Sequence, residues 1–130
     1  MNRTMLNAKI HRATVTGCDL HYVGSITIDP ELLTAADILE FDQLSVVGVD
    51  NGARFETYTI AGEPGSGEIK VNSAAARLVH RGDTIIVVAY GSFTAEELTA
   101  YRPRVVHVDD ANRIIAIDSD AASLMAAPAA

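Results

Sequence analysis

Leu20-His21-Tyr22-Val23-Gly24-Ser25-Ile26-Thr27-Ile28 is a β-prone run broken by one flexible pair, Gly24-Ser25. Glycine has no Cβ, so its carbonyl can be approached closely and its peptide can be held in a strained conformation. Serine places a hydroxyl just beyond that carbonyl. At this pair the backbone is open to attack by its own side chain. Gly-Ser is also an ordinary turn dipeptide, so the surroundings decide between the two readings.

Downstream of the pair, residues 25–28 read as a short strand, and Asp29-Pro30-Glu31 starts a helix with an N-cap side chain, a proline at the first position and an acid in the first turn. Leu32, Ala35, Ala36 and Leu39 give that helix one apolar face ending near Glu40. Upstream, residues 3–16 read as a long first strand. Residues 43–49 and 53–61 flank Asp50-Asn51-Gly52, a two-residue hairpin signal. A loop at Glu63-Pro64-Gly65-Ser66-Gly67 precedes a strand at 68–71, and Asn72 is placed to cap a brief helix over 73–79. Residues 84–90 predict an apolar strand buried on both faces. Thr94-Ala95-Glu96-Glu97 has capping-box spacing and Pro103 stops the helix that follows. Residues 104–108 and 113–117 pair across Asp109-Asp110-Ala111-Asn112. Many short strands, tight turns and two or three short helices predict a mainly-β, closed, barrel-like fold in one domain over 1–118, with an unpatterned, alanine-rich disordered tail at 119–130.

Composition narrows the functions. The 130 residues are 48% apolar and 21% charged, ordinary for a soluble globular domain. A net charge of −7 argues against nucleic acid or an anionic membrane as partner, because both need a basic footprint. The lone cysteine, Cys18, cannot form an internal disulfide. No apolar run reaches membrane-span length and the start lacks a signal-peptide core, so the cytoplasm is the expected compartment. His11, His21, His80 and His107 are scattered rather than at zinc spacing. No phosphate loop, nucleophile elbow or dinucleotide fingerprint is present.

Several motifs occur together in order: His11-Arg12 after Lys9, Asp19-Leu20-His21-Tyr22-Val23-Gly24-Ser25, Asn51-Gly52-Ala53-Arg54-Phe55-Glu56-Thr57-Tyr58, Asn72-Ser73-Ala74-Ala75-Ala76 and Gly82-Asp83. From Arg3 to about Arg104 this series resembles the pyruvoyl-dependent aspartate 1-decarboxylases. The resemblance implies a double-psi β-barrel, a homotetramer with sites at subunit interfaces, and conversion of L-aspartate to β-alanine and carbon dioxide through a Schiff base in pantothenate biosynthesis. It implies that the chain makes its own cofactor, without metal or pyridoxal phosphate. Ser25 attacks Gly24, the chain breaks into 1–24 and 25–130, and a pyruvoyl group replaces Ser25. Maturation is either spontaneous or assisted by an accessory protein, two alternatives the residues leave open.

By the same resemblance Tyr58 supplies the proton to the product carbanion, and Thr57 assists self-cleavage and lies by the substrate. Adjacent on a strand, these two point to opposite faces. Arg54 and Lys9 are implied in substrate binding; a planar guanidinium fork suits a carboxylate. Asn72, Ser73, Ala74 and Ala75 resemble the loop that lines the pyruvoyl pocket, with His11 and Tyr22 in supporting places. Ser73 stands where family members commonly have glycine, which introduces strain if that position needs positive φ. The competing reading is a small β-barrel binding module without chemistry, in which Tyr58 is a wall residue, Thr57 a strand former and Arg54 a solvated cation. A serine hydrolase using Ser25 with His11 or His21 lacks an oxyanion loop.

Overall fold

Period-two burial builds most of the architecture. In β1 (Arg3–Thr14) the buried Ala8 and Ile10 alternate with the half-buried Lys9. The other strands are β2 (Gly17–Asp19), β3 (Ile26–Ile28), β4 (Gln43–Gly48), β5 (Arg54–Ala61), β6 (Ile69–Asn72), β7 (Thr84–Phe93), β8 (Arg104–Val108) and β9 (Ile114–Asp118), with one α-helix, α1 (Pro30–Ala36), among the described residues. The computed structural model describes residues 1–22 and 24–120; residue 23 and residues 121–130, most of the expected tail, lie outside the described residues.

The strands form a mixed sheet in the order β2-β6-β3-β5-β4-β7-β1-β8-β9. The pairs β3–β5, β2–β6 and β1–β8 are parallel, and the others are antiparallel. The fold is therefore mainly β, as the sequence predicts. Ile10, Ile26, Leu44, Val46, Ile69, Ile85 and Val87 sit in one core, closed at one end by Leu32 and Leu33 of α1.

Several local expectations need correction. Helix α1 stops at Ala36 rather than near Glu40, because Asp37 turns left-handed at φ 58° and its N–H closes onto Leu33 and Thr34. The β4–β5 connection is wider than two residues: Gly48 N–H donates to Ala53 at 2.7 Å, while the Asn51 side chain bonds Ala53 N–H and the Leu78 carbonyl. Strand β7 alternates, with Ile85, Val87 and Ala89 buried and Tyr90 54% exposed, because one face of the sheet is uncovered in the single chain. Strand β2 was not anticipated, since Gly-Cys-Asp has no β-branched residue and is recruited only by pairing with β6. The Thr94–Glu97 capping box forms reciprocally, at 2.8 and 3.1 Å, but leads into a single 3-10 turn, Glu97–Ala100.

Asp29 does more than cap a helix. Its buried carboxylate accepts N–H groups from Glu31 at 2.9 Å, Gly65 at 3.0 Å and Gly67 at 2.8 Å, tying α1 to the loop before β6. Burial pushes its pKa up, and these amides, helped by Arg113, more than offset that and hold it below the usual range. Asp29→Ala leaves these amide donors without their acceptor, with an expected loss of about 3–5 kcal/mol in urea unfolding. A loss below about 1 kcal/mol would show that water satisfies them equally well.

Candidate active site

Ser25 enters the sheet at its most constrained point. The strand it leads into, β3, is flanked by β6 and β5, with Ile26 opposite Val71 on one side and Thr59 on the other. Ser25 is 1% exposed although Gly24 before it is exposed. The Asn72 side-chain amide donates to Ser25 Oγ at 2.9 Å and to Thr27 Oγ1 at 3.1 Å, and Asn72 N–H donates to the Ser25 carbonyl at 2.9 Å. On the other flank the Thr59 hydroxyl donates to the Ile26 carbonyl at 3.0 Å. Both oxygens of Ser25 are thus fixed by Asn72. The sequence reading made Asn72 a helix cap; instead it makes no capping bond to the 3-10 turn Ser73–Arg77. Its Oδ1 is buried without a hydrogen-bond partner among the described residues.

Ser73 lies at φ 59°, in the left-handed region that favours glycine. Its side chain sits over Gly24: a Cβ built there would lie 3.5 Å from Ser73 Cβ and 3.8 Å from its Oγ. Ala74 is exposed and Ala75 half-buried against the core.

The β3–β5 register, carried back from Ile26 and Thr59, sets Ser25 beside Tyr58 and Gly24 beside Thr57. Thr57 pairs with the buried Leu44 and faces the core, whereas Tyr58 pairs with Gln43 on the outward face, its ring 6.4 Å from that of Phe41. The two side chains therefore diverge, as adjacent strand residues must. Lys9, His11 and Arg54 share one sheet face with Tyr58 by register. Lys9 lies on β1, which β7, β4 and β5 separate from β3, about 19 Å measured along the sheet. Arg54, exposed at the start of β5, lies about 13 Å down the strand from Tyr58. Tyr22 is 44% exposed, with Lys70 Nζ 4.8 Å from its ring centroid.

His107 and Asp118 were not anticipated as part of any site. His11 and His107 are register partners across β1 and β8 and meet edge to face at 5.5 Å. His107 Nε2 is 3.1 Å from Asp118 Oδ2 without the alignment of a hydrogen bond, and neither His11 nitrogen has a partner among the described residues. Only the β8 register reveals this pairing. Burial first, then Lys9, His107 and Arg12, push His11 from 6.5 down to about 4 against the opposing pull of Asp118. The unfolded chain takes up this proton near 6.5 and the folded chain only near 4, so stability is full above that window and falls as pH drops through it. The His11 contribution is at most about 3 kcal/mol. In His11→Phe, the difference in urea stability between neutral and acid pH should shrink by about 2 kcal/mol. An unchanged difference would locate the acid sensitivity elsewhere.

The chain is small and mainly β, with a buried, amide-held serine after an exposed glycine and with a phenol and cations on one sheet face. The family model for aspartate decarboxylase matches residues 1–115, and the chain belongs to that family. Among the described residues no helix is long and apolar enough to cross a membrane, and no three His, Cys, Asp or Glu side chains are grouped to hold a metal ion.

Proposed function

We infer that the chain is a self-processing, pyruvoyl-dependent enzyme that converts L-aspartate to β-alanine and carbon dioxide, a cytoplasmic step supplying pantothenate synthesis. The observation that carries this reading is the buried Ser25 hydroxyl held by Asn72 next to the Cβ-less Gly24. Because Ser25 Oγ accepts from Asn72, its rotor is restrained beside the Gly24 carbonyl carbon that it attacks.

In the first step the Ser25 Oγ–Gly24 C bond forms, the Gly24 C–Ser25 N bond breaks, and the hydroxyl proton passes to the freed nitrogen. Loss of the Ser25 Cα proton then breaks Cβ–Oγ, releasing Gly24 as a carboxylate. Water enters and ammonia leaves, so that residues 1–24 and 25–130 separate with a pyruvoyl group at position 25. The surroundings suit this group: a Cβ-less neighbour gives access, and the orphan Asn72 Oδ1 is an acceptor held beside position 25. When formed, the pyruvoyl carbonyl takes up the substrate amine and supplies the electron sink for decarboxylation.

The remaining roles fall to the chain's own side chains. Thr57, next to Gly24 in the extended register, assists the cleavage. Tyr58 holds the proton returned to the substrate carbon. Asn72 with the backbone of Ser73, Ala74 and Ala75 lines the pocket, and Lys9 and Arg54 take substrate carboxylates. Lys9 lies four strands from Ser25 in the sheet order, and a site that joins copies in a homotetramer is the assembly we favour. The uncovered sheet face bearing Tyr90 and Val88 supports that assembly. For the 1–118 domain we favour closure into a double-psi barrel. The bond from Thr16 N–H, just after β1, to Ile69 on β6 at 2.8 Å supports it, because β1 and β6 stand far apart in the strand order.

Protein isolated from cells should give two species under denaturing conditions, with masses that sum to the whole chain plus one water minus one ammonia. A single full-length species that turns over aspartate would overturn the proposal.

A further inference from the structure

The strained residue nearest the cleavage point is Ser73. Its φ of 59° places a non-glycine residue in the left-handed region, a conformation that costs about 1–3 kcal/mol and persists only where the surroundings impose it. Asn72 before it is fully buried and anchored to β3 through both its backbone and its side chain. The 3-10 turn that follows packs Ala75 and Ala76 inward. Between these anchors the Ser73 side chain is directed at Gly24, with its Oγ 3.8 Å from the point where a Gly24 Cβ would be. Among the described residues its hydroxyl makes no hydrogen bond. A donor at the cleavage junction is thus left unused in the intact chain.

Resting on the self-processing reading, we propose that Ser73 is a catalytic residue of maturation, its hydroxyl donating to the Gly24 carbonyl oxygen as that oxygen gains charge. When Ser25 Oγ adds to the Gly24 carbon, the carbonyl π electrons move onto the oxygen. A donor within reach of that oxygen is worth more in this charged state than in the ground state. The χ1 rotamers of serine swing Oγ about the Cα–Cβ bond without moving the backbone. Thr57, beside Gly24 in the extended β5 register, approaches from the neighbouring strand. The oxyanion is then held between a donor on β5 and a donor on the 72–73 corner. In this arrangement the left-handed strain at Ser73 is the cost of aiming the hydroxyl.

The test separates hydroxyl from strain. Cell-free synthesis provides a time zero, and intact-mass spectrometry then follows loss of the full-length chain for the parent, Ser73→Ala and Ser73→Gly. Ser73→Ala keeps the Cβ in the left-handed region and loses only the hydroxyl; Ser73→Gly loses hydroxyl and strain together. Both should cleave about a hundredfold more slowly than the parent. Their urea stabilities should move differently, with the glycine variant gaining relative to alanine. Slow cleavage in both, despite that divergence, supports the proposal. Cleavage that tracks stability, with the glycine variant at least as fast as the parent, overturns it, as do unaltered rates in both. A parent chain that never cleaves overturns the self-processing reading itself and this inference with it.

Discussion

Ser25→Ala should yield one unbroken chain of 13.8 kDa with aspartate turnover reduced by at least about four orders of magnitude. In the proposed maturation the hydroxyl is both the atom that attacks Gly24 and the oxygen that leaves in the elimination, so without it no later step begins. The folded structure should survive. The substitution deletes the hydrogen bond from the Asn72 amide, worth about 1 kcal/mol, against a typical domain stability of 5–15 kcal/mol. A circular-dichroism melt within a few degrees of the parent therefore separates lost chemistry from lost fold. An intact variant that still releases carbon dioxide from aspartate would overturn both maturation and mechanism.

The parts legible in the sequence were those written in short-range physics. Apolar runs gave β7 and, on either side of Asp50-Asn51-Gly52, β4 and β5, and Asp29-Pro30-Glu31 gave the start of α1. The Gly24-Ser25 junction stood out because glycine and a nucleophile adjoin within an otherwise β-prone run. Partners distant along the chain were not legible. Asn112 reads as a turn residue, yet it is buried and bonds both polar groups of Thr14 at 2.8 and 2.9 Å and the Gly67 carbonyl at 2.7 Å, joining three separated segments. Nothing near residue 112 specifies those contacts. Asn72 misled for the same reason. Local preference favours an asparagine cap before a short helix, but the nearby β3 strand offers Ser25 and Thr27, and burial makes those bonds the stronger claim.

Ser73 illustrates the opposite case. The sequence made strain there conditional on a positive φ, and the backbone at 59° meets that condition. The spacing of Lys9 and Arg54 from Ser25 has a different lesson. Residue patterns carried the resemblance to the family but could not say how many chains one site requires. Strand order does bear on that, because three strands lie between the strand of Lys9 and β3.

Thr57 and Tyr58 should separate the two halves of the chemistry, because one faces the core and the other the outward surface. Thr57→Val removes a hydroxyl at nearly constant shape, and Tyr58→Phe removes a phenol oxygen while keeping the ring beside Phe41. If Thr57 serves the Gly24 junction, its variant matures about a hundredfold more slowly, by loss of an oxyanion donor. If Tyr58 returns the proton to the substrate carbon, its variant matures at the parent rate. Its kcat, normalised to cleaved chain, then falls about 10²–10⁴-fold, the range for losing a positioned general acid. Tyr58 is outward-facing and half-exposed in the single chain, and in the proposed assembly a neighbouring copy encloses it. The phenylalanine variant should therefore remain assembled in sedimentation while inactive. Normal turnover in Tyr58→Phe, or a maturation defect there with none in Thr57→Val, would reverse the assignment. It would place the proton donor on the core side of β5, where the register puts Thr57 rather than a phenol.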